Sequence, residues 1–508
     1  MLTVRRAAAV ALSIAVLGAA GCAADPDQGA PPDPVVTATS GGEAPGTTTG
    51  NATGTTTGTA PARDGDDPIE GIGEDDAFPE LGTPALDVDD YDLDLRYQVD
   101  GGELEGTATI DATVTVESDQ IELDFQGLEV GSATVDGAAV DHEMANDKLV
   151  LDLGEVVEAG TEVSVVVQYS GAPEPVATDA LGGVEVGWHA GSDGSFVLSE
   201  PEGASTWYPV NNHPLDKATY TFRVTVPEPY TAIANGELVA TTPTDGDGTG
   251  GAARTTFEYR MDAPMASYLA TVVTGEFERV DGGVHDDVTY TYWYAAGVDR
   301  SPSLEQTNRD VAQLARHLGP FPFTTYGGIV YPPSFINGSG RTEDFLSGVA
   351  LENQGGSLFA EGTTVPSVIL HEAAHQWMGD NVSLTDWSLD IWWVEGFAHF
   401  AEYVDDPDQL AAAYPEVRAN WVPPGDLPAD ELFSGASYEG GGMVFYALYR
   451  EVGEDTFWAI LREFNDRYRH ANASTDDLIE VASDVSGEDL TDFFDAWLFD
   501  ETPPMLPT

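Results

Sequence analysis

Cysteine is almost missing from this chain: among 508 residues only Cys22 carries a thiol. A folded region with no second cysteine has no disulfides, so buried apolar surface must hold it together. Basic side chains are scarce as well. Lys and Arg number 19 against 88 Asp and Glu, a formal net charge of −69. Such a surface disfavours phosphate backbones and anionic headgroups, so nucleic acid is set aside as a partner and any membrane attachment must come from elsewhere. The excess of acid is far beyond what solubility requires, and self-repulsion of this size is relieved by screening. A saline environment is the expectation, with a plain acidic bias of a secreted protein as the alternative.

The apolar run A-A-A-V-A-L-S-I-A-V-L-G-A-A follows Arg5 and Arg6 and is too short to span a bilayer stably. It leads into A-A-G-C, ending at Cys22. Residues 1–22 therefore resemble a bacterial lipoprotein signal, although Ala19 stands where Leu is more usual. The resemblance implies lipidation of Cys22 and attachment to the outer face of the cell membrane. The alternative is a soluble secreted protein cleaved nearby. Residues 23–84 are rich in Gly, Thr, Pro, Ala and Asp, which cannot bury a core, and are expected to form a disordered tether.

Composition changes at Tyr91. Tyr91, Leu93, Leu95, Tyr97 and Val99 alternate with polar residues, as do Ala108, Ile110, Ala112, Val114 and Val116. Period two over many short segments, broken by Gly and Asp turns, predicts an antiparallel β domain over 85–297. It runs through A-T-Y-T-F-R-V-T-V-P to V-T-Y-T-Y-W-Y at 288–294. Helical spacing takes over in 298–508. Ser303 and Gln306 predict a capping box, and Leu304, Val311, Leu314, Ala315 and Leu318 one helix face ending at Gly319. The fold class is α+β and multidomain, a β domain followed by a mainly helical one.

The chemistry sits in V-I-L-H-E-A-A-H-Q-W-M-G, residues 368–379. His371 and His375 are four apart, so on a helix both imidazoles face one metal ion, with Glu372 beside the bound water as general base. With 9 His in the chain, chance produces such a pattern roughly once in a hundred sequences of this kind. Five residues alone leave open two ordinary histidines and a solvated Glu; a third ligand decides it. Catalytic zinc keeps three protein ligands and an open position, and two His with one Glu is a common set. Glu395, in D-I-W-W-V-E-G-F-A-H-F-A-E-Y, follows His375 after 19 residues, room for a turn and an antiparallel return. One Zn²⁺ per chain is expected on His371, His375 and Glu395. Glu402, two turns further on, would orient a ligand imidazole or simply lie in solvent. A fourth protein ligand would close the site, so His399 is read as packing or surface.

H-E-A-A-H-Q-W-M-G-D followed by W-V-E-G-F-A is similar to the zinc motif of the gluzincin aminopeptidases related to aminopeptidase N and leukotriene hydrolase. The family usually has 18 residues before the ligand Glu and an Asn preceding it; here there are 19, and Val394. The extra residue is expected in T-D-W-S-L-D, 385–390, taken as a loop where insertions are tolerated. The resemblance spans roughly 85–500 and implies a thermolysin-like catalytic domain in a minimal two-domain form. It further implies that G-V-A-L-E-N-Q (348–354) is the exopeptidase segment, with Glu352 pairing with a peptide's α-ammonium group. Val349 and Leu351 depart from its usual Gly and Met. It implies Tyr438, in A-S-Y-E-G-G-G, as donor to the developing oxyanion, and Glu200, where the family typically carries Gln, as a second amine contact.

The function implied is hydrolysis of single residues from free peptide N-termini outside the cell by Glu-activated, zinc-bound water. Two alternatives stand beside it: a zinc endopeptidase, should Val349 and Leu351 mean that the amine contact is lost, and a surface binding lipoprotein on an inactive peptidase fold. The presence of both Glu372 and Tyr438 argues against the second.

Overall fold

Alternation along the first long strand, Leu86–Gln98, buries Leu86, Val88, Tyr91, Leu93, Leu95 and Tyr97. The step from Val88 to Tyr91 breaks period two because a bulge falls between Val88 and Asp90. The computed structural model describes residues 68–244 and 253–507. The signal segment, Cys22 and the tether up to residue 67 lie outside the described residues.

Leu86–Gln98 sits inside an eight-stranded sheet, flanked by Glu103–Val114 on one side and Ala218–Pro227 on the other. Every pairing in this sheet is antiparallel except that of Leu86–Gln98 with Ala218–Pro227, which is parallel. Alternation fixes which face a residue takes and is silent on strand direction, so this one departure from an all-antiparallel domain was not readable. A second sheet of three strands is centred on Lys148–Val157, and a third of five runs through Gly194–Leu198 and Val272–Gly275.

The boundary expected at 297 lies earlier. Phe277–His285 and Val288–Ala295 pair with each other and join a different sheet, in which Val288–Ala295 runs parallel to Thr325–Tyr331. Ser357–Ala360 continues it in parallel, and the two-residue strand Ala350–Leu351 forms its edge. Residues 277–295 therefore belong with the helical half. A strand's own pattern does not say which sheet receives it.

Helices supply the rest of that half. Thr307–Leu318 buries Val311, Leu314 and Leu318 and ends at Gly319, whose φ of 98° is open to glycine. Its start differs from expectation: the hydroxyl of Ser301, not Ser303, accepts a backbone N–H, that of Leu304 at 3.2 Å. Two helices matter most for the site, Pro366–His375 and Trp387–Ala401.

The tether also ends earlier than read. Within residues 68–84, Ile69 and Ile72 pack with Leu215 in a small cluster of their own. Phe78 is buried, and Asp75 is only 1% exposed. Three apolar side chains spread through Gly, Asp and Pro suffice to dock the segment on a surface already built by the rest of the fold.

Candidate active site

Pro366 occupies the first turn of its helix, where a missing N–H costs nothing, and His375 is the last helical residue. The backbone then reverses, with Asp380 N–H donating to His375 O at 3.0 Å and Gly379 N–H to Val382 O at 2.8 Å. Val382–Ser383 pairs briefly with Ala471–Asn472 before the second helix begins. That helix starts at Trp387, with Asp386 as N-cap accepting from Leu389 N–H at 2.9 Å. The stretch T-D-W-S-L-D is thus a helix cap and first turn, not an insertion-tolerant loop. Asp390, buried in it, accepts from Thr385 N–H (2.9 Å) and Oγ1 (2.6 Å), and from Thr475 N–H (2.7 Å) and Oγ1 (2.9 Å).

This route brings Glu395 back against the two histidines. One ligand atom each from His371, His375 and Glu395 lies within 4.8 Å of the others. His371 Nε2 and His375 Nε2 approach Glu395 Oε2 to 3.3 and 3.5 Å. Even so, Glu395 Oε2 has no hydrogen-bond donor among the described residues. With neutral imidazoles these atoms turn their lone pairs on one shared cation, and with protonated ones they form ion pairs. Two imidazoles and one carboxylate are also the donor set that zinc takes with a position left open.

Glu402 faces the site from the end of the same helix. Its Oε1 lies 3.1 Å from His371 Nδ1 and 3.1 Å from His399 Nδ1, so it can fix the His371 ring while His399 stays outside the ligand group. His375 Nδ1 lies 3.3 Å from Met378 O, the corresponding hold on the second ring. Burial works against charge on Glu395 and Glu402, yet the facing imidazoles outweigh it and hold both carboxyls at about 2.

Opposite stands a second group of acids. Carboxylate oxygens of Glu200, Glu352 and Glu395 all lie within 4.8 Å of one another. Glu352 follows the edge strand directly, is 5% exposed, and its Oε1 has no donor among the described residues. Glu200 comes from the β half across a small cavity lined also by Leu198, Tyr268, Leu269 and Leu351. Burial, with the neighbouring carboxylates, pushes Glu200 and Glu352 upward. Glu372 is driven by burial to about 8, against the pull of both histidines.

Tyr438 lies in a wide turn, Ala436–Gly440, ahead of the helix Gly441–Val452. Its ring stacks on His371 with centroids 6.0 Å apart and planes at 20°. Glycine explains the approach. A Cβ on Gly396 would strike the backbone of Gly441, and one on Gly441 the carbonyl of Trp392. The Glu395 helix and the helix behind Tyr438 cross where neither has a side chain.

Several positioning residues were invisible to motif reading. Gln376 Nε2 donates to Glu352 O at 2.7 Å while its Oε1 accepts from Gly355 N–H at 2.9 Å, pinning the Glu352 segment to the metal helix. Asn353 Nδ2 donates to Leu269 O at 3.1 Å and Asn235 Nδ2 to Gln354 O at 3.1 Å, tying that segment to the β half. The one available signal was spacing, since Gln376 follows Glu372 by four and shares its face.

Comparison with known proteins agrees with this geometry. The Peptidase M1 N-terminal domain matches residues 88–269, and the Peptidase family M1 domain matches 347–421 and 423–497, together more than half of the chain. Aminopeptidase 2 of Candida albicans is 24% identical over 453 residues, covering 80% of this chain and 46% of that protein. Aminopeptidase M1 of Arabidopsis thaliana is 24% identical over 471 residues, covering 82% and 50%. The chain spans about half the length of the curated relatives it matches. The M1 zinc metallopeptidase from Deinococcus radiodurans superposes with a TM-score of 0.75 at 28% identity, covering 86% of this chain and 98% of that one. A variant of that protein is known bound to the substrate Tyr-Ser-Ala. Zinc is the metal of this fold, and the three converging side chains fit it. The chain belongs to the M1 peptidase family, as an aminopeptidase N-like gluzincin.

Proposed function

We propose that this protein is a zinc aminopeptidase that removes single residues from peptides with a free N-terminus. One observation carries the reading: the Glu200, Glu352 and Glu395 carboxylates share one small space, so a group of buried acids directly adjoins the metal-ligand group. A buried carboxylate without a donor is costly unless a cation joins it, and a peptide's α-ammonium supplies both charge and N–H donors. Glu352 and Glu200 hold that ammonium, which sets the first peptide carbonyl beside His371, His375 and Glu395. Zinc, when bound there, polarises that carbonyl and makes water acidic enough to react near neutral pH. Glu372 takes the proton of the attacking water and delivers it to the departing amine. The Tyr438 hydroxyl donates to the carbonyl oxygen as negative charge builds on it. The Deinococcus radiodurans relative bound to Tyr-Ser-Ala supports peptides as the substrate class.

Paired peptides that differ only in N-terminal acetylation test the reading. Free-amine peptides lose one residue at a time and acetylated ones stay intact; equal cleavage of both would end it.

Export and lipid anchoring at Cys22 are part of the same proposal, supported by Arg5, Arg6, the apolar run and A-A-G-C in the sequence. Among the described residues no helix is long and apolar enough to cross a membrane. Cys22→Ala releases the protein from the membrane fraction with unchanged specific activity, and a variant that still sediments contradicts the anchor. The net charge of −69 supports a saline setting. The melting temperature then rises from low to molar NaCl, and a flat profile removes that part of the proposal.

A further inference from the structure

We propose that residues 68–84 form a strap that fixes the N-terminal end of the Glu395 helix, with Asp75 as its positioning residue. A helix begins with backbone N–H groups that have no partner inside it. In Trp387–Ala401 the local cap Asp386 takes the N–H of Leu389. The N–H of Trp387 is taken from far away in sequence, by Asp75 Oδ2 at 2.8 Å. The other Asp75 oxygen accepts from Ala77 N–H at 2.8 Å and Phe78 N–H at 3.1 Å, which folds the strap around the carboxylate. Asp75 is 1% exposed, and a negative group at a helix N-terminus meets the positive end of its dipole. Phe78 lies edge-on to Trp387, with ring centroids 6.1 Å apart, and Trp387 is fully buried.

The strap is held at its far end by the β half. Gly82 N–H donates to Asp124 Oδ2 at 2.9 Å and Thr83 N–H to Asn211 Oδ1 at 2.6 Å. The Glu395 helix is therefore gripped at its start by Asp75 and at its end by Glu402, with Glu395 between the two. Metal–ligand distances tolerate changes of only about 0.2 Å. A slide of the helix by a fraction of an ångström is felt at Glu395, although Asp75 touches neither substrate nor metal ligand.

The proposal rests on Glu395 as a metal ligand, and the experiment keeps the two apart. Full-length zinc-loaded protein is challenged with a chelator well below its melting temperature, and amide exchange is followed at residues 387–390. Asp75→Ala is expected to lose zinc about tenfold faster, the scale of a disturbed outer-shell contact, with faster exchange at 387–390. Leu93→Ala, in the β sheet and fully buried, lowers the melting temperature without either change. Asp75→Asn keeps an oxygen for the Trp387 N–H and recovers most of the zinc retention. Phe78→Leu carries the same comparison should Asp75→Ala fail to accumulate, with zinc loss between wild type and the tenfold value. Zinc loss that merely tracks the melting temperature across all these variants overturns the strap, as does faster exchange at 387–390 with unchanged zinc loss. Whether Glu395 is a ligand is read separately, from the zinc content of Glu395→Ala.

Discussion

The two sides of the pocket are both lined with buried or half-buried glutamates, and they behave in opposite ways. On the metal side, imidazoles face Glu395 and Glu402 and hold both at about 2, so they stay charged. Across the pocket burial raises both Glu200 and Glu352, with other acids adding to it at Glu200 and His375 pulling against it at Glu352. The same side chain is thus held as an anion where an imidazole meets it directly and is raised where burial prevails. Burial alone does not set the charge of a carboxylate; a direct contact with an imidazole does. Glu372, between the two sides and raised to about 8, suits proton transfer better than ligation.

The sharpest way to break this division is to change one acid on each side of His371. Glu395→Ala is expected to lose the metal outright. Glu372→Gln should retain one zinc per chain while activity falls by roughly 10²–10⁴, the range of a deleted general base. Metal analysis alongside turnover decides: stoichiometric zinc in Glu395→Ala, or none in Glu372→Gln, would exchange their roles.

Next in size is Tyr438, whose ring stacks on His371 and whose hydroxyl is the proposed donor to the substrate's oxygen. Tyr438→Phe is expected to cut kcat by roughly 10²–10³ with KM little altered. A change confined to KM would move Tyr438 to substrate binding.

On the amine side, Glu352→Gln keeps shape and removes charge. The expected loss is about 2–4 kcal/mol of transition-state stabilisation, or roughly 30- to 1000-fold in kcat/KM for free-amine peptides. Acetylated peptides remain poor substrates of both proteins, and Glu200 sharing the ammonium leaves the single variant more active than the double. Unchanged kcat/KM in both would dissolve the amine side as a functional unit.

The smallest effect belongs to Glu402, which lies 3.1 Å from His371 Nδ1, on the side of the ring away from Glu395. Glu402→Ala is expected to weaken zinc affinity by about 10- to 100-fold. Competition with a chelator of known strength measures it, and wild-type affinity would reduce Glu402 to a partner of His399 alone.

Much of the site was legible because its parts are short and local. His371, Glu372 and His375 share one helix face, and Glu395 and Glu402 lie two turns apart on the next helix. Glu352, Tyr438 and Glu200 were legible only through family resemblance, since a lone Glu beside a strand or a Tyr before glycines says little. What escaped was everything decided by tertiary contact. Residues 68–84 look like linker until Trp387 and Leu215 give Phe78, Ile69 and Ile72 somewhere to pack. T-D-W-S-L-D looks like a loop until Asp390 gathers Thr385 and Thr475 around the helix start. The 277–295 strands carry the right alternation and join the other sheet, because pairing partners are chosen across the fold and not along the chain.

Glu200 comes from the β half, whereas Glu352 and the metal ligands come from the helical half. One wall of the pocket is therefore borrowed, since Glu200 reaches in from the β half beside Glu352 and Glu395, which the helical half supplies. If the pocket measures a peptide from its first nitrogen to the bond cut, as proposed above, Glu352 sets that length within the helical half, and Glu200 adds a second contact only while both halves are seated. A helical half carried onto another partner would keep His371, His375, Glu395 and Glu352 and lose Glu200. Whatever seats the halves, including the Asn353 amide on Leu269 O and the Asn235 amide on Gln354 O, fixes that borrowed wall as well.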